Sequence, residues 1–226
     1  MDQARGTALT RPFVIGIVGA ESSGKTQLAQ ALHARLATEA GPAALVSETL
    51  REFCDHHRRT PQRHEQALIA ADQTQRIEAA AASHAAVVAD TTALMIAVYS
   101  EFVFGDRSLY ATAEAAHRRC DLTLLTAFDL PWQADGLQRD GAHVREPVDA
   151  LIRAALQRMS QPFVVVAGSG DARLRSAWRA VHKALGLPPA EDAENANWHW
   201  RCERCGDAAC ERHLLSTLLA PQLPRR

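Results

Sequence analysis

The run Gly19-Ala20-Glu21-Ser22-Ser23-Gly24-Lys25-Thr26 fits G-x-x-x-x-G-K-[ST], the spacing of a loop that wraps phosphate. The residue types are those the chemistry needs. Glycines let the main chain curl until its N–H groups face phosphate oxygens. Lys25 brings an ammonium group to the β- and γ-phosphates, and Thr26 offers a hydroxyl to Mg²⁺. A helix beginning near Lys25 adds the positive end of its dipole. The run is the expected seat of ATP with Mg²⁺, and by itself it says nothing of what receives the phosphate.

Two carboxylates fall where ligands of open α/β sheets bind, just past the ends of apolar strand-like runs. Glu48 follows the second such run and Asp90 the third. Phosphoryl transfer needs a carboxylate that holds the metal and a group that takes the proton of the attacking hydroxyl. Asp90 is the candidate for the first role, with a helix cap before Thr91 and Thr92 as the alternative. Glu48 is the candidate base. Arg51, one helical turn on, either holds an acceptor oxygen or makes an ordinary surface ion pair.

A polar, glycine-punctuated stretch from Asp129 to Arg145 is too long for a plain connection and reads as a lid. Trp132 in it either stacks on a planar acceptor or packs on the core. Asp135 beside Gly136 either accepts ribose hydrogen bonds or carries a turn. Arg139 and Arg145 are expected to fold over the transferring phosphoryl group. Gly168, in the Gly168-Ser169-Gly170 turn, either shapes an adenine pocket or simply joins a strand to a helix.

The elements that must position these groups are legible in the apolar pattern. Strands are expected at Phe13–Val18, Ala43–Ser47, Ala85–Ala89, Leu122–Leu125 and Phe163–Ala167. Helices are expected from the spacing of Leu28, Leu32 and Leu36, over Pro61–Ser83, through Leu94–Phe102 and Ala111–Arg118, and at Val148–Met159 and Leu174–Leu185. Strands alternating with helices argue for an α/β fold with a five-stranded, mainly parallel sheet covered on both faces. The domain is expected to span residues 1–187, followed by an acidic, Pro/Ala-rich linker at 188–197 and a Cys/His tail at 198–226.

The 226 residues carry a formal net charge of −1, which argues against nucleic acid as partner, because phosphate neutralisation calls for a basic excess. No run approaches the ~20 apolar residues that span a bilayer, and the first eleven residues lack a signal-peptide core. A cytoplasmic protein without membrane partner is expected, and assembly with identical chains is left open. Of five cysteines, Cys54 and Cys120 stand alone and read as buried thiols. Cys202, Cys205 and Cys210 crowd near His213 at the close spacings that a structural Zn²⁺ uses, with free thiols or disulfides as alternatives.

With these segments assembled, the chain resembles the nicotinamide riboside kinase domain of NadR-type proteins. The resemblance rests on GAESSGKT, SETLREF at Ser47–Phe53, ADTTALMIAVYSEFVFGD at Ala89–Asp106, DLTLLTAFDLPWQADG at Asp121–Gly136, and FVVVAGSGDARL at Phe163–Leu174. It implies transfer of the γ-phosphate of ATP to the ribose 5′-hydroxyl of nicotinamide riboside. It also implies Trp132 and Asp135 at the nucleoside, and Glu48 and Asp90 at the chemistry. Two positions depart from the family: Thr92 stands where a second aspartate is common, and Gln138 precedes Arg139 where an arginine is usual. With 18 residues before Gly19, the adenylyltransferase domain often fused upstream is expected to be absent. The cysteine tail lies beyond the resemblance.

Overall fold

A computed structural model describes residues 11–39, 41–133 and 141–187. Strand β1 (Phe13–Val18) is buried along its whole length. Its side chains alternate between the two sheet faces, as strand geometry requires. Phe13, Ile15 and Ile17 join one apolar cluster with Leu28, Leu32 and Leu36 of helix α1 (Lys25–Glu39) and with Ala177, Trp178 and Val181 of α7 (Gly170–Ala184). Val18, on the opposite face, joins a cluster built on α4 (Ala93–Phe104) and α6 (Arg145–Arg158). Helix α4 is apolar all round, and Ala93 through Val98 are each buried, as befits a helix enclosed by others. Gly105, with φ of 66°, ends it in a left-handed turn.

The remaining strands are β2 (Ala43–Val46), β3 (Ala86–Asp90), β4 (Leu122–Thr126) and β5 (Val164–Val166). All neighbours pair in parallel, in the order β2-β3-β1-β4-β5. From β1 the chain leaves toward the β2 edge, whereas from β3 it crosses past β1 to β4, so the crevice of the sheet opens at the carboxyl ends of β3, β1 and β4. The α/β sheet with helices on both faces is the architecture expected from the sequence, and Cys54 and Cys120 are buried.

Three features differ from the sequence reading. Thr49–His57 forms a helix, α2, which buries only Thr49, Leu50 and Cys54. The long polar stretch splits into a turn at Arg63–Glu65 and helix α3 (Gln66–Ala81), with Glu65 accepting from the Gln62 N–H at 2.7 Å. The stretch expected as a lid up to Arg145 is regular again by Ala142–Val144, and Arg145 is the first residue of α6. Helix α5 (Tyr110–His117) completes the layer over α4. Among the described residues no helix is long and apolar enough to cross a membrane.

A polar knot is packed between β1, β4 and α5. The His117 ring pairs with the Thr92 hydroxyl at 2.9 Å and the Thr123 hydroxyl at 3.0 Å, and the residue is buried. Gly16 makes room for it, since a Cβ there would lie 2.9 Å from the Cys120 sulfur and 3.1 Å from Thr92. Burial pushes the His117 pKa down to about 4 from the usual 6.5. A base whose folded pKa is depressed binds fewer protons than the unfolded chain, so its contribution is lost as pH falls from about 6.5 toward 4, by about 3 kcal/mol in full. Urea unfolding of the wild type and His117→Gln at about pH 7 and pH 5 is expected to show a smaller acid loss in the variant. Equal losses would mean that His117 does not stay neutral in the fold.

Candidate active site

The phosphate loop leaves β1 at Gly19 and enters α1 at Lys25. Its curl depends on positive φ at Gly19 (156°), Ser22 (53°) and Gly24 (76°). At Gly19 the need is also for space: a Cβ would fall 2.0 Å from the Thr126 hydroxyl. That hydroxyl donates to the Val18 carbonyl at 3.3 Å and meets the buried Ser23 hydroxyl at 2.7 Å, while Ser23 donates to the Ala20 carbonyl at 2.6 Å. The end of β4 thus holds the loop from below. Lys25 reaches across the loop, its Nζ donating to the Ala20 carbonyl at 3.0 Å. Ser22 joins the loop to the start of the lid, accepting from the Gln133 N–H at 2.9 Å.

Glu48 occupies the residue before α2, and its carboxylate makes no capping hydrogen bond to the helix. The group is buried and accepts from the Arg51 Nε at 3.4 Å. Burial raises its pKa above the ordinary carboxylate range; Lys25 and Arg51 oppose the rise and Asp90 adds to it. The sequence pairing of Glu48 with Asp90 is therefore a spatial pairing too. Asp90 closes β3, is 4% exposed, and has an Oδ1 with no hydrogen-bond partner among the described residues. It does not cap α4, whose first flanking residue is Thr92.

A cavity of about 940 Å³ opens beside this loop and extends to α2 and α4. Its lining includes Glu21 to Thr26 and Glu48, together with Arg51, Gln66, Tyr99, Val103 and Phe104. The α4 residues were not legible as site residues, although Val103 and Phe104 leave apolar surface exposed on a helix that is otherwise enclosed, the one signal that marks them. Trp132 is half-buried and does not line the cavity, whereas its neighbours Leu130, Pro131 and Gln133 do. Its indole N–H is buried without a partner among the described residues. Asp135 and Arg139 lie outside the described residues, as do Cys202, Cys205, Cys210 and His213 of the expected zinc site.

Arg145 is nearly buried rather than spread over the site. Its Nη1 donates to the Leu130 carbonyl at 2.9 Å and its guanidinium lies 5.5 Å from the Phe128 ring centre, while Nε and Nη2 have no partner among the described residues. Arg173, which the sequence reading missed, is its counterpart from α7. Its Nη2 donates to the Ala127 carbonyl at 2.7 Å and the Val166 carbonyl at 3.1 Å, and a Cβ on Gly24 would stand 3.5 Å from its Nη1. Burial lowers the pKa of both arginines. Asp129 binds this corner together, accepting from the Gly168 N–H at 2.6 Å and from Arg173 at 3.4 Å. The sequence held one faint sign of Arg173: a cation in the first turn of a helix, where the dipole disfavours it.

Among the described residues no three His, Cys, Asp or Glu side chains form a metal cage. Mg²⁺ takes one or two carboxylates and completes its shell from phosphates and water. The unpartnered Oδ1 of Asp90 and the cavity-lining Thr26 fit that demand.

This fold and cradle define a P-loop nucleotide-binding α/β protein. A family model described as an AAA domain matches residues 14–173, more than half of the chain, and the chain belongs to that family. A search of curated proteins finds no match. Among solved structures, a NadR protein in complex with NAD and AMP-PNP is 20% identical with a TM-score of 0.62, covering 79% of this chain and 51% of its own. A NadR protein in complex with NR gives 20% and 0.60, covering 79% and 53%. The chain thus spans about half the length of the NadR structures and shares their fold. A thymidylate kinase from Ehrlichia chaffeensis is similar at 14% identity and TM-score 0.53, covering 77% of this chain and 99% of its own.

Gly19→Ala is expected to weaken binding of AMP-PNP by tenfold or more, since about 1.4 kcal/mol of misfit suffices for that factor, with the circular dichroism spectrum retained. Calorimetric affinity within twofold of wild type would remove the loop from the nucleotide site.

Proposed function

We propose that the chain is an ATP-dependent kinase that phosphorylates a hydroxyl of a small nucleoside-like acceptor, with NR the favoured one. The observation that carries this reading is the continuity of the cavity. One space of about 940 Å³ joins the phosphate loop to Glu48 and to an apolar wall of Tyr99, Val103 and Phe104, enough for a ligand of nucleoside size beside the phosphates. A nucleotide switch has no need of that second half. The motif resemblance and the NR held by a NadR protein of the same fold support NR.

In this reading the loop amides and Lys25 bind the β- and γ-phosphates. Glu48 takes the proton of the acceptor hydroxyl as its oxygen bonds to the γ-phosphorus, and the bond from that phosphorus to the β-γ bridging oxygen breaks to release ADP. A base held above the ordinary carboxylate range by burial is better matched to a proton of that kind. Thr26 and Asp90 would hold Mg²⁺, which when bound neutralises charge on the phosphates. Arg145 and Arg173 present buried N–H groups near the loop, suited to a polyanion in a site of low dielectric. Arg139 and Asp135 keep the roles proposed from the sequence, over the phosphoryl group and at the ribose.

Arg51 and Arg63 both line the acceptor side, which favours as second reading an acceptor that already bears a phosphate. A panel of nucleosides and nucleoside monophosphates with ATP, read by product mass, separates the two. NR is expected to gain one phosphoryl group; turnover of ATP with no phosphorylated acceptor would defeat the kinase reading.

Lys25→Ala is expected to abolish transfer with the fold intact. For Glu48→Gln a fall in kcat of about 10²–10⁴ is expected, the range of a lost general base. The wild-type rate should fall as pH drops through the raised Glu48 pKa, and the variant should lack that acid limb. An unchanged limb in Glu48→Gln would assign the base elsewhere.

A further inference from the structure

The sheet register ends before the chemistry begins. Val46 is paired with Ala89, but Glu48 lies two residues past β2, and Asp90 is the last residue of β3. Something beyond the strand ladder must fix one carboxylate against the other.

Gln73, on the inner face of α3, has no exposed surface and uses both ends of its amide. Its Oε1 accepts from the Thr49 N–H at 2.8 Å and from the Thr49 hydroxyl at 2.9 Å. Its Nε2 donates to the Ser47 carbonyl at 3.2 Å and to the Thr91 carbonyl at 3.4 Å. Ser47 and Thr49 flank Glu48 in the chain, and Thr91 follows Asp90. One side chain thus spans both acid-bearing turns.

The Asp90 turn needs such support. Thr91 has φ of 81°, in a region that costs a β-branched residue about 1–3 kcal/mol and is kept only when the surroundings over-determine it. Gln73 holds its carbonyl, and the Thr92–His117 bond holds the next residue.

We propose that Gln73 is a positioning residue for phosphoryl transfer, setting the placement of Glu48 relative to Asp90 through the two turns it joins. This rests on the reading of Glu48 as the base. The charges facing Glu48 are Lys25 from α1, Asp90 from β3 and Arg51 from its own helix. When the turns drift apart, the share of Asp90 in that balance changes while Arg51 moves with Glu48.

Gln73→Met keeps the length of the side chain and deletes all four bonds. It is expected to lower kcat by about 10- to 100-fold, the sensitivity of a reaction to a misplacement of about 1 Å, and to leave the KM for ATP within twofold. The Glu48 titration midpoint, followed by carboxyl NMR, is expected to move by at least about half a pH unit. Thr49→Val, which deletes one of the four bonds, is the milder variant, with a smaller shift in the same direction. A folded Gln73→Met or Thr49→Val with kcat and Glu48 midpoint equal to wild type overturns the proposal, since a purely structural glutamine would alter only the unfolding midpoint. Should the wild type phosphorylate no acceptor, the kinase reading fails, and the NMR midpoint alone decides on Gln73.

Discussion

Ser23 and Thr126 meet because nothing projects from Gly19. That contact joins the phosphate loop to the end of β4, and the Thr126 bond to the Val18 carbonyl joins both to the end of β1. Every distance in the site is measured from this floor. Lys25 starts α1 from it, α1 packs its leucines under β1, and the dipole of α1 then points at the place where phosphate would rest. A methyl group at Gly19 would occupy the space of the Thr126 oxygen, and the loop would have to choose between its curl and its anchor.

Around that floor the site is asymmetric in its electrostatics. On the β4–β5 side two nearly buried arginines, Arg145 and Arg173, share one carboxylate, Asp129, and keep N–H groups in hand. On the β2–β3 side two carboxylates are buried, Glu48 and Asp90, and Glu48 faces Lys25 and Arg51. On the proposed reading, a polyanion would be drawn to the first flank and a hydroxyl proton to the second. Desolvation strengthens both preferences, because in a low-dielectric crevice fixed charges act with less screening than in water.

What was legible in the sequence was what is contiguous. The phosphate loop is one run of residues, and the strands that frame it are short apolar runs, so both could be read directly. Glu48 and Asp90 were legible because a strand end is a position in the chain as well as in space. Arg173, Gln73 and Tyr99 were not, because each is a single residue on a helix whose inward face is decided by its neighbours in the fold. Helix α2 escaped notice because it is short: nine residues with three of them buried offer few apolar positions from which to read a period. Arg145 was singled out as a lid residue, whereas its burial near Phe128 depends on the turn that ends the polar stretch early.

The strand order has an evolutionary corollary. Phosphate handling is built on β1, the middle of the sheet, where any change disturbs neighbours on both sides. Glu48 hangs instead from β2, a four-residue strand at the margin with one neighbour. A change of length or tilt at that margin disturbs one strand pairing where a change at β1 disturbs two, so the flank that carries Glu48 has more freedom to vary than the phosphate loop.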